Sequence, residues 1–162
     1  MRFTLIDRIA ELVPGKTIVA TKSVSLSEEY LHDHFPKFPV LPGVFMLEAA
    51  TQACAWLIRA SEEFAHSMVV LSEARNIKYA NFLAPGQTLT VTAEILKQDE
   101  RFTTLKIEGR SEEEVNVSGR LVLERFNLAD EHPNLAERDE TVRRALRRLF
   151  AILYQERVAG VA

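Results

Sequence analysis

HFPKFPVLPGVFMLEAATQACAWLIR, residues 34–59, is the stretch around which the rest of the chain arranges itself. Prolines at 36, 39 and 42 each lock their own φ and push the preceding residue toward extended backbone. Residues 34–41 therefore read as a stiff, non-helical loop. Pro42-Gly43 then opens onto residues 44–58, where Glu48 is the one charge and Thr51 and Gln52 add the remaining polarity. A helix apolar on nearly all sides has to be buried on nearly all sides. At a rise of about 1.5 Å per residue it spans roughly 22 Å, enough to cross a small domain and short of a bilayer. A carboxylate inside such a helix costs several kcal/mol unless it is paired or hydrogen-bonded. A bond from Gln52 or a nearby backbone group would satisfy Glu48 without implying any function.

His34 shifts that balance. It lies fourteen residues before Glu48, on the loop that leads straight into the helix. A loop so constrained presents its imidazole with little entropy left to lose, and histidine exchanges protons near neutral pH. The helix start adds unsatisfied N–H groups at Gly43 and Val44, with the positive end of the helix dipole behind them. A base, an acid and a pair of oxyanion donors within one short segment form a catalytic constellation.

The same residues resemble the signature of the 3-hydroxyacyl-acyl carrier protein dehydratases of the FabZ/FabA type, which are hotdog-fold proteins. His34, Phe35 and Pro36 match its HFP, while Pro39, Pro42, Gly43 and Val44 match P-x-x-P-G-V. Leu47, Glu48, Ala49 and Gln52 match L-E-A-x-x-Q. The resemblance implies catalytic roles for His34 and Glu48, with Gly43, Val44 and Gln52 binding substrate or its oxyanion. It also implies a homodimer in which each site takes its His from one subunit and its Glu from the other, in some members a trimer of dimers. The implied partner is acyl carrier protein bearing a phosphopantetheine-linked 3-hydroxyacyl chain, and no metal or organic cofactor is required. One departure is Lys37, which stands where the family usually has Gly after HFP.

Outward from this segment, residues 3–13 and 17–24 flank a Pro14-Gly15 turn and read as a β-hairpin. Leu5, Ile6, Asp7 and Arg8 with Pro14-Gly15-Lys16 extend the resemblance, although the family's His-Arg-Tyr-Pro start is missing or shortened. Residues 25–29 read as a cap and a short helical turn. On the far side, residues 68–71 read as a buried strand continuing toward Tyr79. Leu89, Val91, Ala93 and Ile95 alternate along residues 88–96, and residues 102–107 and 115–126 supply two more strands. A sheet apolar on one face and a single very apolar helix need each other, which predicts an α+β fold with the sheet wrapped around the helix.

Residues 1–128 are thus expected to form the hotdog domain and residues 129–162 a helical extension packed on the domain or the dimer. In that extension Pro133 and Asn134 read as a helix start, with Glu137 in capping-box spacing. Val142, Leu146, Leu149 and Leu153 form an apolar stripe, and Asp139 and Glu140 are positioned to pair with Arg143 and Arg144. Arg143, Arg144, Arg147 and Arg148 make a solvated face or, in the functional alternative, a patch for an acidic carrier protein.

The 162 residues are 47% hydrophobic, enough for one sizeable core, and the net charge of −3 argues against a nucleic-acid stripe. The single cysteine, Cys54, excludes an intrachain disulfide, and His32 with His34 lacks the further ligands of a metal site. The expected location is the cytoplasm. The expected activity is dehydration of a (3R)-3-hydroxyacyl-acyl carrier protein to the trans-2-enoyl product in fatty acid biosynthesis. The alternatives are a hotdog acyl thioesterase and a non-catalytic protein that binds acyl thioesters or acyl carrier protein.

Overall fold

Leu89, Val91 and Ala93 all point to the same buried face, the two-residue period of a half-covered strand. They belong to one antiparallel sheet, which the computed structural model describes within residues 3–155. Its strands are β1 (Arg8–Val13), β2 (Thr17–Ser23), β3 (Met68–Tyr79), β4 (Thr88–Gln98), β5 (Phe102–Ser111) and β6 (Glu114–Phe126). Their spatial order is β1-β2-β4-β5-β6-β3. The β1–β2 turn needs the left-handed backbone of Gly15, whose φ is +74°.

After β2 the chain crosses to the opposite edge of the sheet through α1 (Gly43–Ser61), which touches all six strands. Ala49, Ala50, Ala53 and Cys54 are fully buried on α1, and their small side chains let the helix lie close to the sheet. Burial pushes the Cys54 thiol far up, so it acts as a small apolar residue. Leu57 is also fully buried, and truncating such a leucine costs about 2–5 kcal/mol.

Two expectations fail along α1 and β3. The helix is not covered all round: Val44 is 63% exposed, and Leu47, Glu48 and Gln52 are only half-buried. Nor is the apolar run at 68–71 a buried strand. β3 is an edge, with Val69 its one buried residue and Leu71 38% exposed. Neither surface is covered by the protomer's own sheet among the described residues.

The extension forms α2 (Ala136–Leu153), but it does not start as the sequence suggests. Pro133–Leu135 is a separate 3-10 turn, Leu135 occupies the cap position, and no side chain caps the helix. The capping box lies earlier, between Asn127 and Asp130. Glu140 alone takes the ion pair with Arg143, at 2.9 Å. Asp139 turns inward instead, accepting from the Ser67 hydroxyl and from the Leu128 and Ala129 N–H groups at 2.9 Å. Phe150 packs against Trp56 and Phe64, with ring centres 6.0 and 5.4 Å away, so α2 docks on its own protomer. The final residues, 156–162, lie outside the described structure.

Asp139 makes this docking sensitive to acid. Burial alone would raise its carboxyl, but the bonds from Ser67, Ala129 and Leu128, with Arg143 nearby, outweigh it and hold the carboxyl below its usual range. A carboxyl depressed in the fold stabilises it above the unfolded value, about pH 4, and that contribution is lost as pH falls through the folded value. Asp139→Ala strands two backbone donors and a hydroxyl and is expected to cost on the order of 3 kcal/mol. Urea melts followed by emission of Trp56, the single tryptophan, provide the check. Asp139→Asn should flatten the acid limb of the same melts; an acid limb identical to wild type would exclude Asp139 as its source.

Candidate active site

Three prolines hold the 34–42 loop in place before α1 begins. Its backbone closes on itself: Phe35 and Phe38 exchange N–H···O bonds of 3.2 and 2.9 Å, and Val40 N–H donates to the His34 carbonyl at 3.0 Å. Inside that turn, His34 Nδ1 lies 3.1 Å from the Val40 carbonyl oxygen. A carbonyl can only accept, so the bond requires Nδ1–H, and in the neutral ring it is Nε2 that carries the lone pair. Lys37 is exposed and is not among the described residues with positive φ, so the loop accommodates it by turning it outward. His32 is exposed too, and no cluster of metal-ligating side chains occurs among the described residues.

His34 and Gly43 share a cavity of about 320 Å³ with Met46, Tyr79 and Phe82. Gly43 lets the Tyr79 ring come close: a Cβ would lie 3.1 Å from it, and the ring would have to give by a few tenths of an ångström. Burial of that ring raises the Tyr79 phenol above its ordinary range. As the first residues of α1, Gly43 and Val44 have N–H groups with no acceptor among the described residues. This cavity therefore sets an imidazole whose Nδ1 is held by Val40 beside the donor end of a helix, a combination that, with the ring neutral, can remove a proton and stabilise the resulting anion.

Glu48 occupies a different cavity. It lines a space of about 430 Å³ with Gln52, Trp56 and Arg59 of α1 and with Val142, Leu146 and Leu149 of α2. Gln52 is fully engaged. Its Nε2 donates to Glu48 Oε1 at 2.8 Å and to the Phe3 carbonyl at 2.9 Å, while its Oε1 accepts from Leu5 N–H at 2.9 Å. One amide thus ties the amino-terminal segment to α1 and orients the carboxylate, whose Oε2 accepts no bond among the described residues. Within one protomer, then, His34 is brought to Gly43 and Glu48 to Gln52, and the two pairs face separate cavities.

Sequence reasoning missed Tyr79, Arg59 and the α2 residues that roof the Glu48 cavity. For Arg59 a signal existed, since it follows Glu48 by eleven residues, three helical turns, and so lies on the same face. For Tyr79 and α2 no local pattern specifies which side of α1 they meet.

Comparison with known proteins bears on this arrangement. The sequence matches the FabA-like domain family over residues 1–124, ending before α2. It is 34% identical over 119 residues to the 3-hydroxyacyl-[acyl-carrier-protein] dehydratase FabZ of Ruminiclostridium cellulolyticum, covering 74% of this chain and 84% of the relative. With the corresponding protein of Levilactobacillus brevis it shares 36% identity over 115 residues, covering 71% and 78%. Among solved structures it resembles the dehydratase heterocomplex ApeI:P of Xenorhabdus doucetiae, with a TM-score of 0.65 at 20% identity over 82% of this chain and 90% of that one. A Thermus thermophilus protein gives 0.57 at 18% identity, covering 74% and 91%. At such identities the structural likeness speaks for the fold alone, which is the hotdog.

The imidazole geometry has a direct spectroscopic consequence. Nitrogen-15 NMR of labelled protein at alkaline pH is expected to show the Nδ1–H tautomer of His34. Val40 carries the restraint through its carbonyl, so a dominant Nε2–H form would exclude this hydrogen bond.

Proposed function

The chain belongs to the FabA-like family, and on that premise we propose that it dehydrates (3R)-3-hydroxyacyl-acyl carrier protein to the trans-2-enoyl thioester in fatty acid biosynthesis. The observation that carries the proposal is the division of the machinery. His34 and Gly43 line one cavity and Glu48 with Gln52 another, so each protomer holds two half-sites. A two-fold dimer that lays the His34 cavity of one copy against the Glu48 cavity of the other completes both at once. The uncovered strip of α1 and the open edge of β3 are the surfaces such a dimer would bury.

In this reading the thioester carbonyl accepts from the Gly43 N–H, with Val44 and the helix dipole adding to the same positive end. His34 Nε2 takes the C2 proton, while Nδ1–H stays on the Val40 carbonyl and keeps the ring aimed. Charge moving onto the thioester oxygen is held at the helix start. As the C3–O bond breaks, protonated Glu48 of the other copy gives its proton to the departing hydroxyl, which leaves as water. The C2 proton on His34 and the one lost from Glu48 balance, and exchange through solvent restores both groups. Gln52 is the positioning residue for Glu48. No step calls for a metal or an organic cofactor.

The substrate carrier would be acyl carrier protein, whose phosphopantetheine arm delivers the thioester. Among the described residues no helix is long and apolar enough to cross a membrane.

Hydration of a crotonyl thioester, followed by loss of enoyl absorbance with thiol release monitored in parallel, tests the reaction. His34→Ala and Glu48→Gln are each expected to lower turnover by about 10²–10⁴ while the fold persists. Mixing the two dead variants after dissociation should restore about a quarter of wild-type turnover, since half the dimers are mixed and each carries one intact site. Failure to recover would count against a shared site. Thiol release without hydration would replace the dehydratase by a thioesterase.

A further inference from the structure

We infer that Arg59 reads an anionic group at the far end of the acyl chain, so that the preferred substrates are ω-carboxyacyl thioesters. The inference rests on the reading of Glu48 as the dehydratase acid. Arg59 lies on the last turn of α1, three helical turns from Glu48 and roughly 16 Å along the axis. Both side chains line the same cavity. Between them on α1, Thr51 and Gln52 are already engaged with the Leu47 carbonyl and with Glu48, Phe3 and Leu5, and Ala55 and Trp56 are apolar, as are Val142, Leu146 and Leu149 on α2. Such a channel suits hydrocarbon along its length.

Its end does not. The Arg59 guanidinium lies 5.4 Å from the centre of the Trp56 ring, and Nη2 makes one long contact of 3.5 Å to the Val69 carbonyl. Its Nε is buried with no acceptor, and no carboxylate pairs with Arg59 among the described residues. The acid nearest in sequence, Glu62, is engaged by Arg125, His66 and Gln98 instead. Burial lowers Arg59 to about 10, so it still carries its charge at neutral pH. A guanidinium has five donors, and here one is used weakly.

Two simpler roles leave this unexplained. A cation on the last helical turn is favoured by the helix dipole. Helical side chains, however, lean back toward the amino terminus, and Arg59 enters the cavity over Trp56. Stacking on Trp56 offsets part of the cost of burial but satisfies none of the N–H groups. A chain ending in methyl leaves those donors unmet, whereas a carboxylate accepts charge-assisted, potentially bidentate bonds. The phosphate of the pantetheine arm is the other anion a substrate brings. The apolar walls between Glu48 and Arg59 favour the acyl end, because the arm's amides would find few partners there.

Two measurements test the inference separately from the dehydratase reading. Emission of Trp56 is titrated with octanoate and with octanol on the full-length protein, which requires no catalysis. Wild type is expected to bind octanoate at least about tenfold more tightly. Arg59→Met should erase that preference and Arg59→Lys retain part of it, with thermal melts verifying that both variants fold. Equal binding of the two ligands by wild type overturns the inference, whatever the enzyme does. Then kcat/KM is compared for enoyl thioesters ending in carboxylate or methyl, each on coenzyme A and on N-acetylcysteamine. A carboxylate preference on both carriers, lost in Arg59→Met, supports the acyl-end reading. An Arg59→Met defect confined to coenzyme A thioesters and blind to the acyl terminus assigns Arg59 to the phosphate and overturns it. Octanoate preference with no turnover on any thioester would leave an anion site standing and remove the dehydratase.

Discussion

Covering α1 is the constraint from which the rest of the structure follows. Nineteen residues with so few polar groups cannot stand in water, and one sheet covers only one side of a helix. The six strands take the side carrying Ala49, Ala50, Ala53, Cys54 and Leu57. α2 takes the carboxyl-terminal end, through Phe150 on Trp56 and Phe64. What remains open is the strip bearing Val44, Leu47, Glu48 and Gln52, and the polar residues among these are the ones proposed to act. The least covered strip of the helix is therefore the one from which Glu48 can be reached.

Much of this was legible because it is written in local pattern. The proline spacing, the apolar run after Gly43 and the alternation at Leu89, Val91 and Ala93 report on their own segments, and each corresponds to an observed element. His34, Gly43 and Glu48 were legible as types at an interval. Which of them meet was not, because pairing across cavities is decided by tertiary placement. The structure groups His34 with Gly43 and Glu48 with Gln52.

The misreadings share one cause. Residues 68–71 look like a buried strand because they are apolar, yet β3 is the edge of the sheet and only Val69 in it is buried. Pro133, Asn134 and Glu137 have the spacing of a helix start, but Asn127 and Asp130 form the box one turn earlier in the connection. Asp139 has the spacing to pair with Arg143 and is drawn inward by three donors, two of them backbone N–H groups. Local rules weigh exposed ion pairs and caps at some tenths of a kcal/mol to about one. A buried carboxylate satisfying three donors outweighs them.

α2 changes what the Glu48 half-site can be. The matched family ends at residue 124, so Val142, Leu146 and Leu149 are additions to a site whose acid lies within the matched region. Its side chains line one wall of the cavity in which Glu48 stands, so apolar groups face the carboxylate from that side while the α1 strip around it stays half-exposed. The same wall flanks Arg59, which on an open helix end would be a solvated cation of no consequence. Placing that wall depends on Asp139, bonded to Ser67, and on Phe150, which packs on Trp56, the ring over which Arg59 lies. The extension thus joins the shape of the Arg59 pocket to the stability of its own docking, adding walls from beyond residue 124 to an arginine that lies within the matched region.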